Sequence, residues 1–144
     1  MKISSRVDYA LSCVLRVADK YGSRVPVTIT EISRKEKIKT DYVGQILILL
    51  KKSGVLKSIR GRRGGYLLKT RPENISVLTI IKAIEQEVLK PVCFREKGRR
   101  KRCIHFSDCR ILSLWNGLKS NMEKYLDNKN LKELLVLRKK EKSW

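Results

Sequence analysis

Acidic side chains are scarce in this sequence: 14 Asp and Glu stand against 34 Lys and Arg, so its 144 residues carry a formal charge of +20. A chain with so little negative charge of its own points to a polyanionic partner, which could be DNA, RNA or an anionic membrane surface. Long hydrophobic runs are also missing. None approaches the roughly 20 apolar residues that cross a bilayer, so no membrane anchor is expected. Lys2, Arg6 and Asp8 interrupt the start and no signal-peptide pattern is present, so the expected compartment is the cytoplasm. There is one histidine. It has no nucleophile or carboxylate pair arranged beside it, and no glycine-rich phosphate loop leads from a strand into a helix, so an enzyme is not expected. Closely spaced cysteine pairs are lacking, which speaks against a zinc ribbon. In a reducing compartment the four cysteines are expected to serve as ligands, sensors or core residues, not as a disulfide framework.

Hydrophobic residues make up 42% of the chain, enough for one ordinary core. Ile3, Val7, Ala10, Leu11, Val14, Leu15 and Ala18 recur at helical spacing, which predicts an amphipathic helix from residue 2 to about 20, ended near Gly22. After Pro26, Thr28-Ile29-Thr30-Glu31 has the spacing of a capping box and opens a short helix to about Lys35. A third helical pattern begins near Thr40 and runs through Val43, Ile46, Leu47 and Leu50 to Gly54, a left-handed terminator. Two helices separated by so short a turn have helix-turn-helix dimensions. Directly afterwards, Val55–Arg60 and Tyr66–Lys69 flank Gly61-Arg62-Arg63-Gly64-Gly65, the pattern of a β-hairpin with a positively charged tip. A basic hairpin in that place is a wing. The third helix is then expected in the major groove of double-stranded DNA, with Arg60, Arg62 and Arg63 reaching phosphates or the minor groove.

Ser76 caps a further helix carrying Val77, Ile80, Ile81 and Ile84, which completes a winged domain over residues 1–86. Residues 87–109 lose apolar periodicity. They hold Pro91, three cysteines, the histidine and the basic run Arg95, Lys97, Arg99, Arg100, Lys101 and Arg102, and a loop of this length is expected to be either functional, as a basic cysteine-containing sensor loop, or disordered. Regularity returns over 110–137, where Ile111, Leu114, Trp115, Leu118, Met122, Tyr125 and Leu126 form a continuous helical stripe. A matching helix from a second subunit is the economical cover for that stripe, so a homodimer is expected. Asn130 caps one last short helix, and 138–144 is expected to be a basic tail. The fold class is mainly α with a small β-hairpin: a winged helix-turn-helix plus a long C-terminal dimerisation helix.

Cys13 lies beside the apolar stripe of the first helix and is expected to be buried. Cys93, Cys103 and Cys109 all lie in or at the edge of the irregular segment. Iron and sulfide suit thiolates, and a two-iron cluster bridges widely spaced sulfurs, but spacing alone does not separate a cluster from unrelated thiols. The basic run would favour thiolate over thiol and offset the charge of a ligated cluster; it would equally suit DNA phosphate.

The run Ile3-Ser4-Ser5-Arg6-Val7-Asp8-Tyr9-Ala10-Leu11, Tyr42 with Gln45, Gly54–Gly61 with Gly64-Gly65-Tyr66, Ile80–Glu85 and the three loop cysteines followed by Leu114-Trp115 are specific in combination. Over nearly its whole length the chain resembles the IscR/NsrR family of small bacterial winged-helix regulators. The resemblance implies a cytoplasmic dimer with a long crossing helix and, in many members, a two-iron two-sulfur (2Fe-2S) cluster that senses iron supply, oxidants or nitric oxide. It places Thr40, Asp41, Tyr42 and Gln45 toward DNA and Arg60 in the minor groove. Lys39 stands where the family often has a capping Ser, and Gly44 where the cluster-biogenesis regulator has a Glu, so operator sequences do not carry over. Leu112 occupies the position of that regulator's histidine ligand. Asp8 matches the position from which a carboxylate reaches the other subunit's cluster in the nitric-oxide-sensing branch, and is favoured as fourth ligand over His105. Two rivals stay open: a cluster-free regulator of the same fold that responds through thiols or a partner protein, and a nucleic-acid-binding protein without sequence preference.

Overall fold

The computed structural model describes residues 3–86, 88–89, 103–105 and 108–140, the last three of these by backbone alone. Six helices and one hairpin make up the described chain: α1 (Ser5–Ala18), α2 (Ile29–Glu36), α3 (Thr40–Lys52), β1 (Leu56–Ile59), β2 (Gly65–Leu68), α4 (Val77–Ile84), α5 (Arg110–Asp127) and α6 (Leu131–Lys140), with 3-10 turns at Tyr21–Ser23 and Pro72–Asn74. The expected mainly helical winged architecture is what forms.

Five of the six helices start on a side-chain cap. Ser4 opens α1 by accepting the Val7 amide, and the helix closes at Ala18, two residues earlier than the periodicity suggests, where a 3-10 turn reverses the chain. Thr28 Oγ1 accepts the Glu31 amide at 3.1 Å and starts α2. Only that half of the expected capping box forms. The Glu31 carboxylate turns instead to Lys20 Nζ, 2.7 Å away, a charge-assisted partner that a backbone amide does not match. α3 starts without a side-chain cap, because Lys39 has no acceptor to offer. It ends in a Schellman turn: Gly54 takes φ +84°, its amide donates to the Lys51 carbonyl and the Val55 amide to the Leu50 carbonyl.

The hairpin is antiparallel, from Leu56 opposite Leu68 to Ile59 opposite Gly65. Val27 joins the hairpin through a single isolated bridge, exchanging both backbone hydrogen bonds with Tyr66 at 2.8 and 3.0 Å. That approach explains Gly65. A Cβ there would lie 2.6 Å from the Val27 carbonyl oxygen, and the residue's φ is +151°.

One core joins these pieces. Cys13, Val14 and Val17 of α1, Ile32 of α2, four α3 side chains, Leu56 and Leu68 of the hairpin and Ile80 of α4 are buried together. Leu131 at the start of α6 is fully buried in the same cluster. The Leu131 amide donates to the Ile75 carbonyl and the Val77 amide to the Lys129 carbonyl, so the chain returns to the winged core after α5. Asn130 caps α6 through the Glu133 amide, as its position suggests, and the helix runs on to Lys140 instead of giving way to a tail at 138. α5 differs from every other long helix. None of its side chains is fully buried, and Ile111, Leu114 and Tyr125 are each about two-thirds exposed. Among the described residues no helix is long and apolar enough to cross a membrane.

Candidate nucleic-acid interface

At about 100° per residue, Asp41, Gln45, Ile48 and Lys52 fall within a stripe about 60° wide on α3, opposite the buried Val43, Ile46, Leu47 and Leu50. All four stripe residues are exposed. The expected DNA-facing residues therefore separate. Asp41 and Gln45 project outward from the stripe. Thr40 stands at the helix-turn-helix corner, its hydroxyl 3.1 Å from that of Ser33, which in turn donates to the Ile38 carbonyl. Tyr42 lies on the α1 side, half-buried, its ring edge-on to Tyr9 with centroids 5.8 Å apart. Sequence reading passed over Ile48 and Lys52, although the helical angle they share with Asp41 and Gln45 was available to find them.

The corner is braced from behind. Arg16 of α1 pairs with Glu36 at the end of α2, and Lys20 with Glu31 at its start. Both pairs join the first helix of the motif to α1 and the residues that follow it.

The wing tip closes on glycines. Gly61 has φ +108°, the Gly64 amide donates to the Gly61 carbonyl at 2.9 Å, and a Cβ on Gly64 would stand 2.3 Å from the Ile59 carbonyl oxygen. Arg60, Arg62 and Arg63 are exposed there, and among the described residues none has a carboxylate within ion-pairing distance. Positive charge continues to the hairpin's base, where Arg24, Lys57, Lys69 and Arg71 line an open cleft of about 550 Å³.

The expected sensor residues lie elsewhere. Cys109 is the N-cap of α5: its sulfur accepts the Leu112 amide at 3.3 Å. Cys103 and Cys109 are both half-buried and His105 is exposed. Asp8 is exposed on α1 and shares with Val7, Leu11, Val77, Ile81 and Met122 the lining of a cavity of about 500 Å³ between α1, α4 and α5. At the same cavity the Ser4 hydroxyl donates to the carboxylate of Glu85, just past α4. Cys93 lies outside the described residues, as does the basic run from Arg95 to Arg102. Among the described residues no three metal-ligating side chains converge. Thiolates are soft donors that suit Fe–S clusters and zinc and not hard-ligand metals, and Cys103, Cys109, Asp8 and His105 are not brought together as a ligand set among the described residues.

A winged helix-turn-helix of this kind defines a DNA-binding transcriptional regulator. Residues 3–136 match the sequence profile of Rrf2, described as an iron-dependent transcriptional regulator family. The HTH-type transcriptional regulator IscR of Aliivibrio salmonicida is 33% identical over 136 residues, covering 94% of this chain and 78% of that protein. Among solved structures, T. potens IscR superposes with a TM-score of 0.79 at 26% identity, covering 100% of this chain and 93% of the other. CymR, the global cysteine regulator of B. subtilis, gives 0.74 at 26% identity, covering 95% and 98%. The chain belongs to the Rrf2 family. Its members are transcriptional regulators and not enzymes.

Thiol chemistry separates the described cysteines. Burial, with a smaller contribution from Glu36, pushes the Cys13 thiol up to about 12. A raised value keeps the neutral thiol the dominant form of Cys13 at pH 8. Iodoacetamide at pH 8 is expected to modify Cys103 and Cys109 in the folded protein and Cys13 only after denaturation. Peptide mass mapping reads the result, and native-state modification of Cys13 would contradict its assignment to the core.

Proposed function

We propose that the chain is a homodimeric, sequence-specific regulator that reads operator DNA with the outer stripe of α3 and grips it with the wing, its affinity set by chemistry at the loop ending in Cys109. The observation that carries this reading is the pairing of an outward, hydrogen-bonding helix face with a wing whose arginines have no carboxylate partner among the described residues. Asp41 and Gln45 supply groups that match base edges in the major groove, Thr40 and Tyr42 flank them, and Arg60, Arg62 and Arg63 address backbone or minor groove. DNA-bound work of this kind belongs in the cytoplasm.

The second subunit follows from α5. Its outward apolar residues run along the helix, with Met122, Tyr125 and Leu126 at its C-terminal end lining the Asp8 cavity, and a symmetry-related α5 is the partner that would cover both. Two recognition helices would then sit about 34 Å apart, one turn of DNA, and small changes in α5 geometry would alter whether both fit.

Cys93, Cys103 and Cys109, with Asp8 as fourth ligand and His105 the other candidate, would hold a 2Fe-2S cluster. Such a cluster supplies a centre that responds to iron supply, oxidants or nitric oxide. What this chain's own residues contribute is mechanical. The loop leaves the core at Glu85, held by the Ser4 hydroxyl, and re-enters at Cys109, which caps α5. A change in the charge or position of the Cys109 sulfur would change its bond to the Leu112 amide, and so carry the state of Cys109 to the first turn of the helix proposed to join the subunits. The same bond supports direct thiol oxidation as the second reading, because oxidation of the sulfur would also alter the cap; the likeness to Staphylococcus aureus CymR, solved in an oxidised form, is in keeping with it.

Three measurements test these parts separately. Arg60→Ala is expected to weaken operator binding about tenfold, the ~1–3 kcal/mol of a specific contact, with unlabelled random duplex as competitor; equal affinity for operator and competitor would leave only binding without sequence preference. Leu114→Glu with Leu118→Glu is expected to give monomers by sedimentation velocity, and an intact dimer would remove α5 from the interface. Protein purified without oxygen is expected to show visible charge-transfer bands with iron and sulfide, all absent from Cys93→Ala, Cys103→Ala and Cys109→Ala variants. A colourless, metal-free protein after reconstitution would move sensing to the thiols.

A further inference from the structure

The outer stripe of α3 contains one side chain that cannot form a hydrogen bond. Ile48 is 49% exposed, a large apolar group between Gln45 and Lys52 on a face otherwise polar or charged. Its neighbour one turn earlier is Gly44, where a Cβ would meet nothing closer than Ile29 Cδ1 at 3.9 Å. Ile48 therefore stands beside a gap and not beside another side chain. Asp41 and Gln45 border the same gap, and at about 1.5 Å per residue Asp41 and Ile48 are about 10 Å apart along the axis, a span of about three base-pair steps.

Exposed single apolar residues usually call for no explanation. This one differs by its position. The other exposed large apolar groups lie at or before α1, in the α1–α2 connection (Tyr21 and Val25), at the end of β1 (Ile59), in the loop and on α5 and α6, whereas Ile48 is on the helical face that carries Asp41 and Gln45. In the major groove one base-edge group is apolar, the C5-methyl of thymine, and it is recognised by apolar side chains. A β-branched side chain in a helix keeps essentially one χ1 rotamer, so Ile48 presents a fixed methyl surface that loses little freedom on contact. Lys51 and Lys52 beside it are exposed cations suited to the flanking phosphates.

We infer that Ile48 is a specificity-determining residue that reads the C5-methyl group of a thymine, in each operator half-site, seated in the notch left by Gly44. The inference rests on the reading of α3 as the recognition helix. It assigns to the half-site a thymine adjoining the base contacted by Gln45.

The test uses the full-length protein and DNA duplexes that it enriches from a random pool. Each thymine of an enriched duplex is replaced in turn by deoxyuridine, which removes the methyl and leaves every hydrogen-bonding group in place. For the unaltered protein, one such replacement per half-site is expected to weaken binding about fourfold, the transfer value of one buried methyl. The same replacement is expected to change binding by Ile48→Ala less than 1.5-fold. Because Ile48 is half exposed and outside the core, the variant should keep the parent's thermal midpoint, and Ile48→Val, which retains the branch, should keep most of the methyl dependence. Uridine replacements that affect neither protein, or both equally, would overturn the inference while leaving α3 as the recognition helix. Failure to enrich any duplex would bring down that helix assignment itself, and Ile48's role with it.

Discussion

The roll of α3 about its own axis is fixed by four side chains, Val43, Ile46, Leu47 and Leu50, each with no solvent exposure. They occupy one flank of the helix and enter the core shared by α1, α2, the hairpin and α4. Turning the helix by one residue, about 100°, would bring at least two of them into water and push Gln45 toward the interior. At roughly 1.5–3 kcal/mol for each large aliphatic side chain, plus the cost of burying an unpaired amide, such a rotation would exceed half the stability of an ordinary domain. The direction of Asp41, Gln45, Ile48 and Lys52 is thus a consequence of burial on the far side. Nothing on the outer face is needed to hold them there, which leaves that face free to be chosen for what it recognises.

The same core reaches the other end of the molecule by an indirect route. Leu131 is as deeply buried as Leu50, although 81 positions separate them. Backbone bonds from Leu131 to Ile75 and from Val77 to Lys129 fasten α6 to the start of α4, and the Lys82–Glu123 pair at 3.5 Å joins α4 to α5. α4 therefore stands between the reading head and α5. On the proposed reading, a shift in α5 that began at the Cys109 cap would meet α4 before it met α3, and α4 is anchored in the core by the fully buried Ile80. Transmission between loop and reading head requires only that these packed elements move together.

Much of this architecture is legible in the sequence, for reasons that are local. A period of 3.6 exposes the inner faces of α1 and α3; Thr28, Ser76 and Asn130 announce helix starts because a short side-chain acceptor satisfies a free amide wherever it stands; Gly54, Gly61 and Gly65 mark backbone shapes that other residues resist. What escaped the sequence depends on partners distant along the chain. Glu31 completes a capping box on paper, yet Lys20 competes for its carboxylate, and only the packing of α1 on α2 brings Lys20 there. Leu131 reads as one more apolar residue of a C-terminal helix, since nothing nearby signals that it returns to the first core. For the site, the wing and the two outward polar residues of α3 are legible. Ile48 is masked by its own type: in a hydrophobic pattern an isoleucine counts as core, and only its angle relative to Val43 and Leu47 places it outside.

Charge and specificity divide the work between the two halves of the proposed interface. Nearly all the described ion pairs engage the few carboxylates in bracing the body: Glu31 and Glu36 behind the helix-turn-helix, Glu123 between α4 and α5, Glu133 at α6. The wing arginines and the cations at the hairpin base are left to the solvent, and a surface of that kind attracts any DNA through phosphate, whatever its sequence. Sequence preference has to come from a face that gives up some of that attraction. Asp41 does so on the proposed reading, because a carboxylate facing the groove repels phosphate and the acceptor-rich edge of guanine, and accepts a hydrogen bond from a cytosine or adenine amino group. An acidic residue and an apolar one at the centre of a face surrounded by positive charge weaken non-specific binding and add discrimination, which is the balance a regulator needs in order to leave the rest of the chromosome and settle at an operator.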